Sequence, residues 1–270
     1  RRGGGGGGWA AGEVGEAIRL WKRPSWLVAM GFAPDSNATA APDPGSLYCW
    51  VFMQAIGYEP ELMALQHKNG WGIFACDAHV ILGSDTGEVR GLQVNGIGEN
   101  PTRMCWSSGV RYACNTQIFI KAYSHIVRKG IYASFAWTVK VDPDSVFFPD
   151  RLTPLLKPMD CEKELFLHNN PGFPKMLGPL EVVSRGGMSG YKFRGTQCDT
   201  ELRNLIDITG EDGWFTDCFE KVLHFTPQVH PEVLHNNEDP NTCYGGQVVF
   251  HPFKAPWPFQ QCRSNAVGQR

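Results

Sequence analysis

No block of basic residues appears anywhere in this sequence, and 25 Lys and Arg against 27 Asp and Glu leave a net charge of −2. A surface for nucleic acid or an anionic membrane needs concentrated positive charge, so both partners are excluded at this level. Apolar runs are also short. None approaches the roughly twenty residues that a membrane helix requires, so no transmembrane span is expected. The nine Cys contain no C-x-x-C pair, which argues against a zinc knuckle. No repeat at solenoid spacing is present. Neither an initiator Met nor a signal-peptide pattern opens the chain, and we expect a processed or truncated piece from which a targeting segment or N-terminal anchor could have been lost.

What is present is enough apolar residue for a full core: 42% of 270 residues, which suits one large domain better than two small ones. The Cys count fits an oxidising compartment, with Cys105/Cys114 and Cys243/Cys262 as local pairs, while buried free thiols account for it about as well. Odd parity leaves at least one thiol unpaired. Residues 1–45 open with six consecutive glycines and continue through Pro, Asp, Ser and Ala, too poor in periodic apolar residues for a core, and read as a low-complexity tail. Within that tail residues 13–22 can form a short amphipathic helix with Val14, Ile18 and Trp21 on one face. Asn37-Ala38-Thr39 is a glycosylation acceptor if the protein is secretory, whereas Pro101 blocks Asn100-Pro101-Thr102.

From residue 46 the pattern is globular. Residues 47–53 form a continuous apolar run fit for a buried parallel strand, and 58–69 a helix closed by Gly70. Residues 72–77 read as a second strand that ends in Asp77, a position where open α/β sheets bind ligands, so Asp77 is a candidate for a nucleotide's ribose or base and equally for a turn cap. Residues 88–109 read as irregular. Asn115 then caps a helix over 116–129 that ends at Gly130. This alternation of strands and helices predicts an α/β fold with a mostly parallel sheet and crossover helices. Further on, 164–167, 180–183 and 247–250 are strand candidates, 185–190 a glycine-rich turn, 198–208 and 214–223 helices, and 263–270 a frayed end.

The apolar stretch before residue 141 delivers two acids, Asp142 and Asp144, at its downstream end, and Pro143 between them stops the strand. Two residues apart in an extended turn, they project to one side and offer hard oxygen ligands to magnesium or manganese. Downstream come Gly186 and Gly187 in the glycine-rich turn, Gly210-Glu211-Asp212 before a helix, and His251 with Lys254 after the last strand. Acids at a helix start are also ordinary caps, and a lone His is more often structural.

D-x-D, a glycine turn, a Gly-Glu-Asp and a late His, in that order, resemble the GT-A fold of nucleotide-sugar glycosyltransferases over residues 46–262. The resemblance implies a single GT-A-like domain, with a mixed, mostly parallel sheet flanked by helices, and metal-dependent transfer of the inverting kind. It implies Asp144 and His251 as ligands of manganese or magnesium, with Asp142 on ribose, metal or metal-bound water. Gly186 and Gly187 would border the donor sugar and Lys254 its phosphate. Asp212 would take the acceptor's proton while Glu211 steadies that site, the partners being a nucleotide sugar and a carbohydrate or protein acceptor. Such an enzyme is expected in the Golgi or ER lumen.

Two other readings stand beside it. A non-catalytic transferase-like subunit of a larger organelle assembly would dock a protein partner through Trp9, Trp21 and Trp26 of the tail. A glycosidase would use the Asp142/Asp144 and Glu211/Asp212 pairs on water instead.

Overall fold

Strand β1, Leu47–Phe52, is buried at every position, which is what a central strand covered on both faces requires. Its neighbours on the two sides are β2 (Ala78–Gly83), to which it runs parallel, and a strand at Trp137–Val141, also parallel. The computed structural model describes residues 41–98, 103–107 and 110–268, with backbone alone at 103, 105–107 and 110–113. The tail up to residue 40, with its expected helix, tryptophan surface and sequon, lies outside the described residues.

After β1 come α1 (Glu59–Asn69), closed by left-handed Gly70, and then β2, β3 (Gly87–Val89), β4 (Leu92–Gly96), β5 (Arg103–Ser107) and β6 (Val110–Cys114). Helix α2 (Thr116–Lys129) ends at left-handed Gly130 and leads to β7 (Trp137–Val141), β8 (Val146–Phe147) and α3 (Pro149–Leu156). The chain continues through β9 (Leu165–His168), β10 (Leu180–Ser184), α4 (Arg185–Glu201) and α5 (Glu211–Asp217). It closes with β11 (Thr226–Val229), β12 (Leu234–Asn236), β13 (Val249–His251) and α6 (Pro256–Gly268).

Eight strands form one sheet in the order β11-β9-β10-β7-β1-β2-β4-β3. Four of its seven pairings are parallel, so the sheet is mixed with a parallel centre, as expected. Successive side chains of a strand face opposite ways. Hence Leu47, Cys49 and Val51 join Val139, Val141, Leu152 and Leu156 on one face, while Tyr48, Trp50 and Phe52 join Phe119, Tyr123, Tyr191 and Phe215 on the other. A second sheet, β12-β13-β8, packs its residues Val146 and Phe250 with Phe253, Phe259 and Cys262.

Four expectations are corrected. Residues 72–75 are a 3-10 turn, because β2 begins only after Asp77, and residues expected to be irregular contain β3, β4 and β5. The glycine-rich 185–190 opens α4 instead of forming a turn: Ser184 caps it by accepting from the Gly187 amide, and the glycines let it lie against the sheet. Residues 263–268 belong to α6, anchored by buried Cys262 and Ala266. Disulfides join Cys49–Cys76, Cys198–Cys218 and Cys243–Cys262, the last as expected. Cys114 is disulfide-bonded, while the side chain of its expected mate Cys105 lies outside the described residues. Cys161 is a free thiol.

Candidate functional site

Alternation along β7 puts Thr138 and Lys140 on the aromatic face of the sheet, and Asp142 continues that side past the strand's end. The turn that follows is clamped: the Ser145 amide donates to Asp142 O, and Gln66 of α1 donates from Nε2 to Pro143 O at 2.9 Å. Pro143 therefore supplies the acceptor that fixes the turn. Register of β13 on β8 pairs Phe250 with Val146, which brings His251 next to the turn, and the Phe253 amide donates to Asp144 O. The result is a cluster. One ligand atom each from Asp142, Asp144 and His251 lies within 4.8 Å of the other two.

The charges in this cluster explain what it could hold. His251 Nδ1 stands 2.9 Å from Asn236 Oδ1 and donates to it, so Nε2 turns toward Asp144 Oδ1 at 3.4 Å. In the neutral ring two acceptors then face each other, an arrangement that a shared proton or a bound cation resolves. Asp144 is buried, which alone would raise its pKa, but the His251 hydrogen bond and charge, Lys254 and the Tyr58 hydroxyl hold it below the ordinary aspartate value. Two carboxylates and an imidazole fit manganese, and fit magnesium less well, because nitrogen is a softer donor than oxygen.

Lys140, which the sequence reading passed over as part of an apolar run, ties the cluster to the other wall. Its ammonium is 1% exposed and lies 2.7 Å from Asp142 Oδ1, 3.2 Å from Glu211 Oε1 and 3.8 Å from Glu181 Oε1. It also donates to Gly178 O at 2.7 Å and sits 4.4 Å above the Phe119 ring. Burial would lower the pKa of this lysine, yet the three carboxylates outweigh it and hold the ammonium above the usual lysine range. Glu181, cross-strand from Lys140, is itself pushed up to about 8, since full burial exceeds the help it gets from Lys140 and from the Tyr123 hydroxyl at 2.7 Å.

Asn115 fills the N-cap position of α2 without capping it. Its Oδ1 accepts instead from the Glu211 amide at 3.0 Å, which pins the start of α5 beside the cluster. Asp142, Asp144, His251, Glu211 and Lys254 thus line one cavity of about 520 Å³, together with Tyr58, Glu59 and Asn115. Asp212 does not line it. It stands one residue further along α5, partly exposed, and accepts from the Gly213 amide; burial first, then the charge of Glu211, pushes it up to about 7.

Three residues expected at the donor, Asp77, Gly186 and Gly187, lie away from the cluster. Asp77 precedes β2, and its Oδ2 accepts from the Leu47 amide at the amino end of β1, the sheet edge opposite Asp142. Ser184 pairs with Trp137, the first residue of β7, so Gly186 and Gly187 also lie at that opposite edge. A Cβ on Gly186 would stand 2.1 Å from Glu162 O and one on Gly187 2.8 Å from Val183, so their lack of a side chain serves helix packing. The glycine that borders the site is Gly178, where a Cβ would meet Glu211 Oε1 at 2.6 Å and Lys140 Nζ at 3.0 Å. A larger cavity of about 600 Å³ contains Asp77 and, among the described residues, holds no cluster of metal-ligating groups.

No protein-family model matches the chain, and no curated protein matches it. Among solved structures it is similar to a glycosyltransferase involved in glycosylation of the major capsid of PBCV-1, at 12% identity and a TM-score of 0.45, over 80% of this chain and 98% of that one. It is also similar to the apo-form glycosyltransferase GlyE of Streptococcus pneumoniae TIGR4, at 11% identity and a TM-score of 0.45, over 76% of this chain and 54% of that one. The chain spans about half the length of GlyE. Likeness at that level assigns no chemistry; the site's own geometry has to do so.

Replacing Lys140 by Met leaves Asp142, Glu181 and Glu211 without their shared cation. We expect a loss of about 3–5 kcal/mol in urea unfolding, the usual cost of stripping one partner from a buried ion pair. A loss below about 1 kcal/mol would mean that the carboxylates do not depend on this ammonium.

Proposed function

We propose that the chain is a metal-dependent, inverting glycosyltransferase that moves a sugar from a nucleoside-diphosphate donor to an acceptor hydroxyl. The observation that carries this reading is the meeting of Asp142, Asp144 and His251 at the carboxyl end of β7, in one cavity with Glu211 and Lys254. A divalent cation held by those three ligands would offset the charge on the leaving diphosphate. Lys254, whose charge reaches Asp144, would add a second positive group on the same side. Glu211 is committed to Lys140 and so orients the wall of the site.

Asp212 is the base in this reading: it does not line the cavity, but its carboxyl feels the charges of Glu211, Lys140 and Asp142, of which Glu211 and Asp142 border it. Its carboxylate takes the proton of the acceptor hydroxyl as that oxygen bonds to the anomeric carbon, while the carbon–oxygen bond to the diphosphate breaks and its electron pair leaves with the phosphate. A carboxyl near pH 7 suits the task, since it is basic enough to accept a proton and still ionised at neutral pH. The disulfides among the described residues support an oxidising compartment, and with the donor chemistry they favour the Golgi or ER lumen.

Isothermal titration of UDP, GDP and CDP into the full chain, with and without manganese, tests the site. We expect one nucleotide to bind only with the metal, and binding to vanish in Asp144→Ala; silence with every nucleotide would remove the donor from the account. Turnover gives a second check. Asp212 is protonated below its pKa and cannot accept a proton, so the rate should rise with pH through about 7, and Asp212→Asn should lose about 10²–10⁴-fold. A flat profile from pH 5.5 to 8.5 or an unimpaired Asp212→Asn would take the base role away from this residue.

A further inference from the structure

Ten large apolar side chains are exposed among the described residues, and one of them, Phe173, borders the α5 turn that carries Asp212. A Cβ built on Gly213 would lie 3.7 Å from Cε1 and Cζ of the Phe173 ring, so the ring rests against the residue next to Asp212. It is nevertheless 62% exposed.

The loop that carries it is tied down on both sides of the ring. Between β9 and β10, the Asn169 and Asn170 amides both donate to Lys175 O, and the Leu177 amide donates to Asn169 Oδ1. Asn169 Nδ2 donates to Leu177 O and Leu180 O, and Asn170 Nδ2 donates to Pro174 O. Buried Met176 anchors the loop's far side, its amide donating to Thr216 Oγ1 of α5. Pro174 directly follows Phe173 and restricts its backbone, while Gly172 precedes it. Lys221, ion-paired with Asp217 at 2.9 Å, places its ammonium over one side of the ring at 5.8 Å from the centroid, and the ring keeps its 62% exposure beside that contact. The same loop ends at Gly178 against Glu211 and Lys140, so one hydrogen-bonded segment connects the cluster's wall to an exposed phenyl ring.

We propose that Phe173 is a carbohydrate-binding platform that lays the acceptor sugar beside Asp212. The apolar C–H face of a pyranose stacks on an aromatic ring, while its hydroxyls stay free for a carboxylate neighbour. This deepens the glycosyl-transfer reading and rests on it for the acceptor's role. It commits the acceptor to a saccharide, against a protein side chain.

The test uses the full chain, as wild type, Phe173→Ala and Phe173→Trp, with saturation-transfer NMR against free glucose, galactose, N-acetylglucosamine, lactose and maltose and against a Ser/Thr peptide. The manganese and nucleotide titration runs in parallel. We expect at least one saccharide to bind about tenfold more weakly to Phe173→Ala and as well as wild type to Phe173→Trp, with metal-nucleotide binding the same in all three. Equal saccharide binding by wild type and Phe173→Ala overturns the platform, as does wild type that binds the peptide and no sugar. Saccharide binding that depends on Phe173 alongside a silent nucleotide titration upholds the platform and overturns the transfer reading.

Discussion

A single ammonium, that of Lys140, holds the two halves of this site together. An isolated lysine in the centre of a sheet would be costly, because burial takes its charge out of water. Here Asp142, Glu181 and Glu211 surround it from three elements, β7's end, β10 and α5, and Gly178 O and the Phe119 ring complete its shell. Since Asp142 belongs to the candidate metal cluster and Glu211 to the first turn of α5, which also carries Asp212, the placement of one charge ties that cluster to the start of α5. Glu181, opposite Lys140 in register and raised to about 8, is the member for which burial outweighs attraction.

Around that charge each structural layer adds one group. The parallel centre of the sheet ends at Asp142 and Asp144, the small sheet of β12, β13 and β8 brings His251, and the start of α2 holds α5 through Asn115. These are long-range relations, between residues up to about a hundred positions apart. Cavity size does not pick out the site. The larger cavity at the opposite sheet edge has Asp43 and Asp77 occupied with the Gly45 and Leu47 amides, while the smaller one gathers convergent charge.

Much of the frame was legible because it is local. A run apolar at every position gave β1, and helical periodicity between Asn115 and Gly130 gave α2. Asp142, Asp144 and His251 were legible as types in an order, and the structure gathers them. The glycines misled for a physical reason: Gly186 and Gly187 resemble a ligand loop, but their missing side chains admit the backbone of residues 162 and 165, and only a fold could show that Gly178 is the one beside the charges. Asp77 misled because the apolar stretch before it is a 3-10 turn, which moves the acid from a strand's end to a strand's start. Lys140 left a signal that went unused. A lysine inside an apolar strand, two residues before an acid, shares that acid's side of the sheet and needs a buried counter-charge.

The account stands on one point in space, the centre of the Asp142, Asp144 and His251 cluster. Crystals grown with manganese and a nucleoside diphosphate, with data collected at the manganese absorption edge, would show whether an ion sits there. The account predicts one anomalous peak bonded to Asp144 and His251, with diphosphate oxygens completing its shell and Lys140 still between Asp142 and Glu211. A peak elsewhere, or nucleotide in the cavity that contains Asp77, would contradict it.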